Sequence, residues 1–344
     1  MQWAREAPTV GKCEEGRVHL NNRIKLPGMK KRRTSYYPIY VILGVVVLLF
    51  AVLRLFPIFK VFYMSLFNWN MATGKKLFIG FTNFANMFSN PTFTAAMLRT
   101  IYMGFEILLI TVPLALLIAN AINKNFGKKT KAIIQTGLFI PYIVPMVPTV
   151  IIWKWLFNTK YGLVNYVLNL FGGASLAWLT NGFLAEQAIV IITVWKNLGY
   201  CVLIFCVGLA GIPQMYYEAA ELDGSSPWKT FWHITLPQLR PVLIYVSIIM
   251  LIRGFNVYTQ AYILCSDASG SPGYVVRTVV YDMVENGFKF YKMGYAAAES
   301  VALFAFMFLF SFIQFVFGDE EKMDAWKAKR RQRKIRQKGG SGNA

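Results

Sequence analysis

A chain of 344 residues that is 56% hydrophobic and 15% charged lies outside the composition of soluble globular domains, and its formal charge of +20 raises nucleic acid as a partner. The placement of the basic residues argues against nucleic acid, because they gather in segments that alternate with long apolar runs. The composition is that of a polytopic, all-α membrane protein. Cys13, Cys201, Cys206 and Cys265 stand at unrelated spacings, and His19 is far from His233, so neither a disulfide framework nor a metal site is expected.

Residues 1–35 are charged and aperiodic, which fits a cytoplasmic tail rather than a cleavable signal or a folded domain. Met29, just ahead of KKRRTSYY, has the look of a start before a span, and the residues preceding it read either as an upstream extension or as an added segment. The membrane domain is expected over 36–318. A bilayer core of about 30 Å needs about 20 helical residues. On that measure the first span takes about 38–63, with Arg54 and Lys60 extending to the interface, and leads to a polar, aromatic outer loop where Trp69 suits the interface. The second span, about 97–122, carries Glu106, a carboxylate that needs a partner or water. The third, about 132–157, is interrupted by Pro141, Pro145 and Pro148 and reads equally as a kinked packing helix or as part of a substrate path. YGLVNYVLNLFGGASLAWLTNG (161–182) is apolar at helical spacing but broken by Gly-Gly, and is expected on the outer surface. The fourth, fifth and sixth spans fall at about 185–209, 242–264 and 291–317, with an outer loop over 266–290.

Nine Lys and Arg lie in the N-terminal segment through Arg33, four between Asn123 and Lys131, two in 213–241 and nine after Gly318, while the alternate loops are poorer. The positive-inside rule then puts both termini and 213–241 in the cytoplasm, with 319–344 a basic tail ending in the linker-like GGSGNA.

The polar island Pro213–Pro241 separates the fourth and fifth spans. Pro213 suits the first turn of a helix, Gly224 the left-handed turn that ends it, and Ser226-Pro227 the cap and first position of a second helix, closed by Pro237. Glu218, Glu221 and Asp223 are expected to face outward, and Met215, Ala219, Ala220 and Leu222 to form a small and apolar side.

The spacing Glu218-Ala219-Ala220, Gly224, then Ile234 and Leu236-Pro237 resembles the EAA motif of membrane subunits of binding-protein-dependent ABC importers, with seven fixed residues in register. YGLVN resembles the half of the permease pair represented by the larger maltose-importer membrane subunit. The resemblance implies a type I importer permease fold of six transmembrane helices in a bacterial inner (plasma) membrane. It also implies that Glu218, Ala219, Ala220, Asp223, Gly224, Ile234, Leu236 and Pro237 couple to an ATPase. The implied partners are a second homologous permease, two cytoplasmic ATPases that use ATP and Mg, an extracellular solute-binding protein, a sugar, and membrane lipid. This chain itself would bind no cofactor. GKKT at 127–130 lacks the leading glycine of a phosphate loop, since Ile122 occupies that position, and no catalytic arrangement accompanies it, so the chain reads as a transport subunit rather than an enzyme.

Polar residues near the bilayer midplane are costly and point to a site. In the fourth span these are Lys196, Asn197, Gly199 and Tyr200 beside Trp195; in the fifth, Arg253, Asn256 and Gln260 fall at i, i+3 and i+7 and are expected to share a face. Aromatic faces with amides suit a sugar. The resemblance implies a sugar path at positions near Asn197, Gly199 and Tyr200, at the Met250–Val257 turn and at Thr149, although Met250, Gly254 and Val257 stand where the family has polar contacts. The substrate path is therefore expected to include Thr149, Asn197, Gly199, Tyr200, Arg253, Asn256 and Gln260. The same groups could instead serve helix packing, with Glu106 neutralising Arg253 or Lys196. Two other functions remain open: an importer of glycerol-phosphate-like anions or another polar solute bound through Lys196 and Arg253, and an ATP-independent carrier or channel in which the island is only a loop.

Overall fold

The computed structural model describes residues 37–265 and 276–318. The basic segments 1–35 and 319–344, with Cys13 and His19, and the first part of the last outer loop lie outside the described residues. Five described helices are long and apolar enough to cross a bilayer, and a bent pair makes a sixth crossing if it counts as one span.

The chain divides into compact units at Arg54. In the first, helix α1 (Tyr37–Phe50) exposes every side chain from Tyr40 to Phe50. A helix apolar all round suits lipid or another membrane helix, not water.

The second unit takes up the chain at Leu55, the last residue of a π turn (Ala51–Leu55), and continues in α2 (Phe56–Ser65), which packs along the last helix, α15 (Met293–Gly318), with Phe62 edge-on to Phe304. The next segment departs from an all-helical chain. Strands β1 (Phe67–Trp69) and β2 (Lys76–Phe78) form an antiparallel hairpin, because the Asn70 side chain accepts from the Ala72 and Thr73 amides, each at 3.0 Å, and closes the turn. Lys76 Nζ sits 3.7 Å from the centre of the Trp69 ring.

After α3 (Thr82–Phe88), α4 runs from Pro91 to Asn125. It starts earlier than expected because Asn90 caps it, its Oδ1 accepting from Thr92 N at 2.9 Å, and Pro91 occupies the first turn, where no donor is needed. Its 35 residues extend for about 50 Å, beyond a bilayer core. The third span is not straight. Helices α5 (Lys128–Ile143) and α6 (Met146–Leu156) meet at 96°. Pro145 excludes Val144 from helical geometry, and Val144 is extended at φ −60°, ψ 134°. Thr149 Oγ1 donates to the Pro145 carbonyl at 2.9 Å in the first turn of α6.

Helix α7 (Leu163–Leu170) is built around buried Asn165, which donates to the Thr159 and Leu176 carbonyls and accepts from Leu176 N and Trp178 Nε1. The central element is α8 (Gly182–Ala210), packed by α4, α5 and α12 (Arg240–Phe255). Its buried Ile189, Ile192, Val202 and Phe205 enter two of the three hydrophobic clusters. The fifth span also breaks, with α12 ending at Phe255 and α13 (Thr259–Cys265) following. The described part of the outer loop is helical rather than irregular. Helix α14 (Val279–Val284) is capped by Thr278, whose hydroxyl also donates to the Val257 carbonyl at 2.7 Å, and a π turn (Glu285–Lys289) follows.

Candidate functional site

The polar island folds into α9 (Gln214–Leu222) and α10 (Pro227–Thr230), a π turn (Phe231–Thr235) and α11 (Leu236–Gln238). Gly224 has φ +64°, its amide donates to the Glu221 carbonyl at 3.0 Å, and Ser225 N donates to the Ala220 carbonyl at 2.9 Å. That pair of bonds is a Schellman termination, which needs a left-handed residue at Gly224. Ser226 Oγ accepts from Lys229 N at 3.4 Å and caps α10. Tyr217 and Thr235 hydroxyls, 3.3 Å apart, tie the two arms.

Two details differ from expectation. Pro213 precedes the first turn of α9 instead of occupying it, and Pro237 does not close the island, because a first-turn proline lets the path continue through α11 into α12. The apolar side also divides. Ala220 is buried, Ile234 and Leu236 are half-buried, and Ala219 is exposed with Glu218 and Asp223. Met215 is 67% and Leu222 90% exposed, joined by exposed Trp228 and Trp232, so the island offers apolar side chains that its own chain does not cover.

A second assembly lies between α5, α8 and α12. Arg253 donates to Asn197 Oδ1 at 2.6 Å and to the Tyr142 hydroxyl at 2.8 Å, and its guanidinium lies over the rings of Tyr142 and Tyr200 at 5.0 and 5.4 Å. Those rings stack at 4.9 Å, and the Tyr200 hydroxyl meets that of Tyr245 at 3.1 Å. Asn197 Nδ2 returns to the Thr193 carbonyl, and Gln260 Nε2 donates to Thr193 Oγ1 at 3.2 Å. The structure therefore joins Asn197, Tyr200 and Arg253 in one network, to which Gln260 attaches through Thr193.

The remaining path residues stand elsewhere. Because the helix ends before residue 256, Arg253, Asn256 and Gln260 do not share a face: Asn256 is exposed, donating to the Ile252 carbonyl and to Met307 Sδ on α15. Gly199 marks where α8 touches α5, since a Cβ there would overlap the Leu138 carbonyl. Thr149 is buried with its hydroxyl on the Pro145 carbonyl. Tyr142, Tyr245 and Thr193 were not singled out by sequence; Tyr142, beside Pro141 in an interrupted span, carried the one usable signal.

Glu106 does not neutralise Arg253 or Lys196. It accepts from Gln187 Nε2 at 3.2 Å, and Lys196 lies about 13 Å of helix further along α8. Lys196 instead donates to the carbonyls of Pro141, Tyr142 and Val144, left open where α5 stops. A lysine at a helix C-terminus satisfies orphan carbonyls and the negative end of the dipole together. The partners of both Lys196 and Arg253 are neutral oxygens and rings. Among the described carboxylates, Glu186 pairs with Arg99, and Asp282 and Glu285 pair with Arg277. Glu299, fully buried, accepts from Asn286 Nδ2 at 3.0 Å. The Arg277 pairs and the Asn286 contact fall within 266–290, which the sequence presents as a loop, whereas Arg99 and Glu186 lie on two separate spans whose packing no local spacing encodes.

An amide, phenol hydroxyls and ring faces around a held guanidinium can bind hydroxyls and stack on a ring's C–H face, and the network contains no nucleophile paired with a base. Gln260→Ala is expected to remove the hydrogen bond to Thr193 Oγ1 and to lower the stability of the folded chain by about 1 kcal/mol; an unchanged melting temperature in detergent would show that this bond contributes nothing.

The family model described as "binding-protein-dependent transport system inner membrane component" matches residues 111–319. The arabinooligosaccharides transport system permease protein AraP of Bacillus subtilis (strain 168) is 33% identical over 78% of this chain and 84% of its own length. The trehalose/maltose transport system permease protein MalF of Thermococcus litoralis is 31% identical over 78% of this chain and 87% of its own. A crystal structure of a bacterial ABC transporter involved in the import of the acidic polysaccharide alginate includes a chain of the same fold, with TM-score 0.72 and 20% identity, covering 82% of this chain and 95% of that one.

Proposed function

The chain belongs to the family of binding-protein-dependent transport system inner membrane components, and from that premise we propose that it is the permease subunit of an ATP-driven importer carrying a sugar or oligosaccharide inward. It forms the translocation path with a second, related permease. An extracellular solute-binding protein delivers the cargo, and two cytoplasmic ATPases, using ATP and Mg, drive the cycle through the island 213–241. Both termini lie in the cytoplasm.

The observation that carries this reading is the island itself. A short helix ends in a left-handed glycine turn and presents Met215 and Leu222 uncovered, a surface suited to a groove on another protein. Relatives named for arabinooligosaccharides and for trehalose/maltose support a carbohydrate cargo. The roles of Glu218, Ala219, Ala220, Asp223, Gly224, Ile234, Leu236 and Pro237 in coupling, and of Thr149, Asn197, Gly199, Tyr200, Arg253, Asn256 and Gln260 along the path, belong to this proposal.

The test is copurification followed by transport. The chain is expected to leave the membrane with an ATPase, and sealed vesicles bearing the complex to accumulate oligosaccharide only with ATP. Purification without an ATPase, or uptake indifferent to ATP, would replace the importer by a carrier or channel. A second reading, an acidic sugar or other anion as cargo, draws on the neutral partners of Arg253 and Lys196, which leave both positive charges uncompensated by carboxylates. Competition by galacturonate oligomers stronger than by neutral oligosaccharides would favour it. Asn256→Ala separates path from packing under either reading: loss of uptake with normal assembly is expected.

A further inference from the structure

Away from the Arg253 network, a cavity of about 450 Å³ opens between β1, α3, the start of α4 and the start of α15. By the alternation of the spans it lies on the face opposite the 213–241 island. Its wall is held from behind. Asn83 Nδ2 donates to the Ser65 and Phe67 carbonyls at 2.8 and 2.9 Å, Asn90 Nδ2 to the Tyr295 hydroxyl at 3.1 Å, and Asn286 Nδ2 to Glu299. Those bonds fix the frame. In contrast, Asn68, Asn86 and Lys292 line the cavity as exposed residues, and their side chains make no hydrogen bond or ion pair with any described residue.

The placement of Lys292 has a conformational cost. Its neighbour Tyr291 adopts φ +54°, a left-handed conformation unusual for a bulky residue. The hairpin holds it there, Met71 N donating to the Tyr291 carbonyl at 3.0 Å while Lys292 N donates to that of Asn286 at 2.8 Å. These bonds fix the backbone position of Lys292 at the cavity wall.

The lining selects a chemistry. Among the described residues no carboxylate lines the cavity to hold a metal cation, and Lys292 repels one. The apolar content is Ile79 and the ring of Tyr295, too little for a lipid or an apolar ligand. Amides that both donate and accept, with one ammonium, match hydroxyls, which do the same. The volume is within the range of small-ligand sites. We propose that this asparagine-lined cavity is a second, external binding site for a saccharide unit, using Asn68, Asn86 and Lys292. It rests on the reading that the cargo is a carbohydrate and that this face is external, and gives that cargo a station before the membrane.

The test uses the full chain in lipid nanodiscs with arabinotriose and maltotriose, each carrying a diazirine at the reducing end, and an alkyl diazirine as control. At least one sugar probe is expected to label peptides within 67–91 and 286–295, with unlabelled trisaccharide competing and the alkyl probe leaving them unmarked. Asn68→Ala with Asn86→Ala should cut that labelling roughly tenfold, as for two lost hydrogen bonds. Lys292→Gln, a surface change that retains a donor, should reduce it less and reports on the site if the double variant misfolds. No labelling of these peptides, labelling confined to the Arg253 network, labelling insensitive to every variant, or capture there of a solute-binding protein unaffected by trisaccharide would each overturn the proposal. ATP-dependent uptake by the wild-type complex is read separately. Uptake without cavity labelling removes this site alone, and cavity labelling without ATP-dependent uptake removes the importer reading while this site stands.

Discussion

Replacing Gly224 with valine is expected, on the importer function proposed above, to leave a folded subunit in the membrane whose uptake falls about tenfold while ATP hydrolysis by the assembled complex continues. An added Cβ meets nothing within 4 Å there, so the penalty at this position is the conformational one. At φ +64° it costs about 1–2 kcal/mol, a factor of about tenfold in the population of the native turn. The Schellman bonds from Gly224 and Ser225 weaken together, and α9 loses its fixed angle to α10. Gly224→Asn is the control, because asparagine tolerates the left-handed region and should retain most of the uptake. Paired measurements of ATP hydrolysis and vesicle uptake decide the matter. Normal coupled transport in the valine variant would remove the hinge role of Gly224.

Gly199→Ala is expected to have the largest effect on stability, with a loss of about 3 kcal/mol or more and a marked fall in assembled protein. The added methyl would overlap the Leu138 carbonyl and crowd Phe139 N, and these are backbone atoms that no side-chain rotation can move aside. Separating α8 from α5 would also pull Lys196 from the carbonyls it caps and Tyr200 from its stack on Tyr142. Gly137→Ala in α5 is the matched control. Open space surrounds Gly137, and removing a mid-helix glycine should be neutral or stabilising by up to about 1 kcal/mol. Thermal unfolding in detergent separates the two, and equal melting temperatures would show that the helices can part without cost.

Both glycines were visible in the sequence, yet for different reasons. Gly224 could be assigned its left-handed turn directly, because the requirement is local: a helix ends, a capping serine and a proline follow, and one residue must reverse the chain. The sequence places Gly199 in a polar stretch of α8, but that it admits the α5 backbone depends on which helix lies beside it, and no spacing within α8 encodes that.

Charge partners show the same division. Glu106, Arg253 and Lys196 were recognisable as costly in a membrane, but pairing them by proximity in the sequence pattern failed. Lys196 goes to the carbonyls opened by Pro145, and Arg253 goes to Asn197 and two tyrosine rings. A broken helix creates acceptors that composition does not count. The i, i+3, i+7 face of Arg253, Asn256 and Gln260 failed likewise, because the helical period applies only while the helix continues, and this one stops at Phe255.

The sequence by itself determined the membrane class, the long apolar helices of most crossings, the placement of the basic segments and the glycine-ended helix of the 213–241 island, since each follows from local length, polarity or turn chemistry. Tertiary structure alone decided the right-angle course of α5 and α6, the Tyr142–Arg253–Tyr200 stack and the asparagine-lined cavity. Each of these arises where segments distant in the chain meet. Which carbonyl or amide is left open there depends on three-dimensional packing, while the residues that answer it can lie more than a hundred positions away, as Arg253 does from Tyr142.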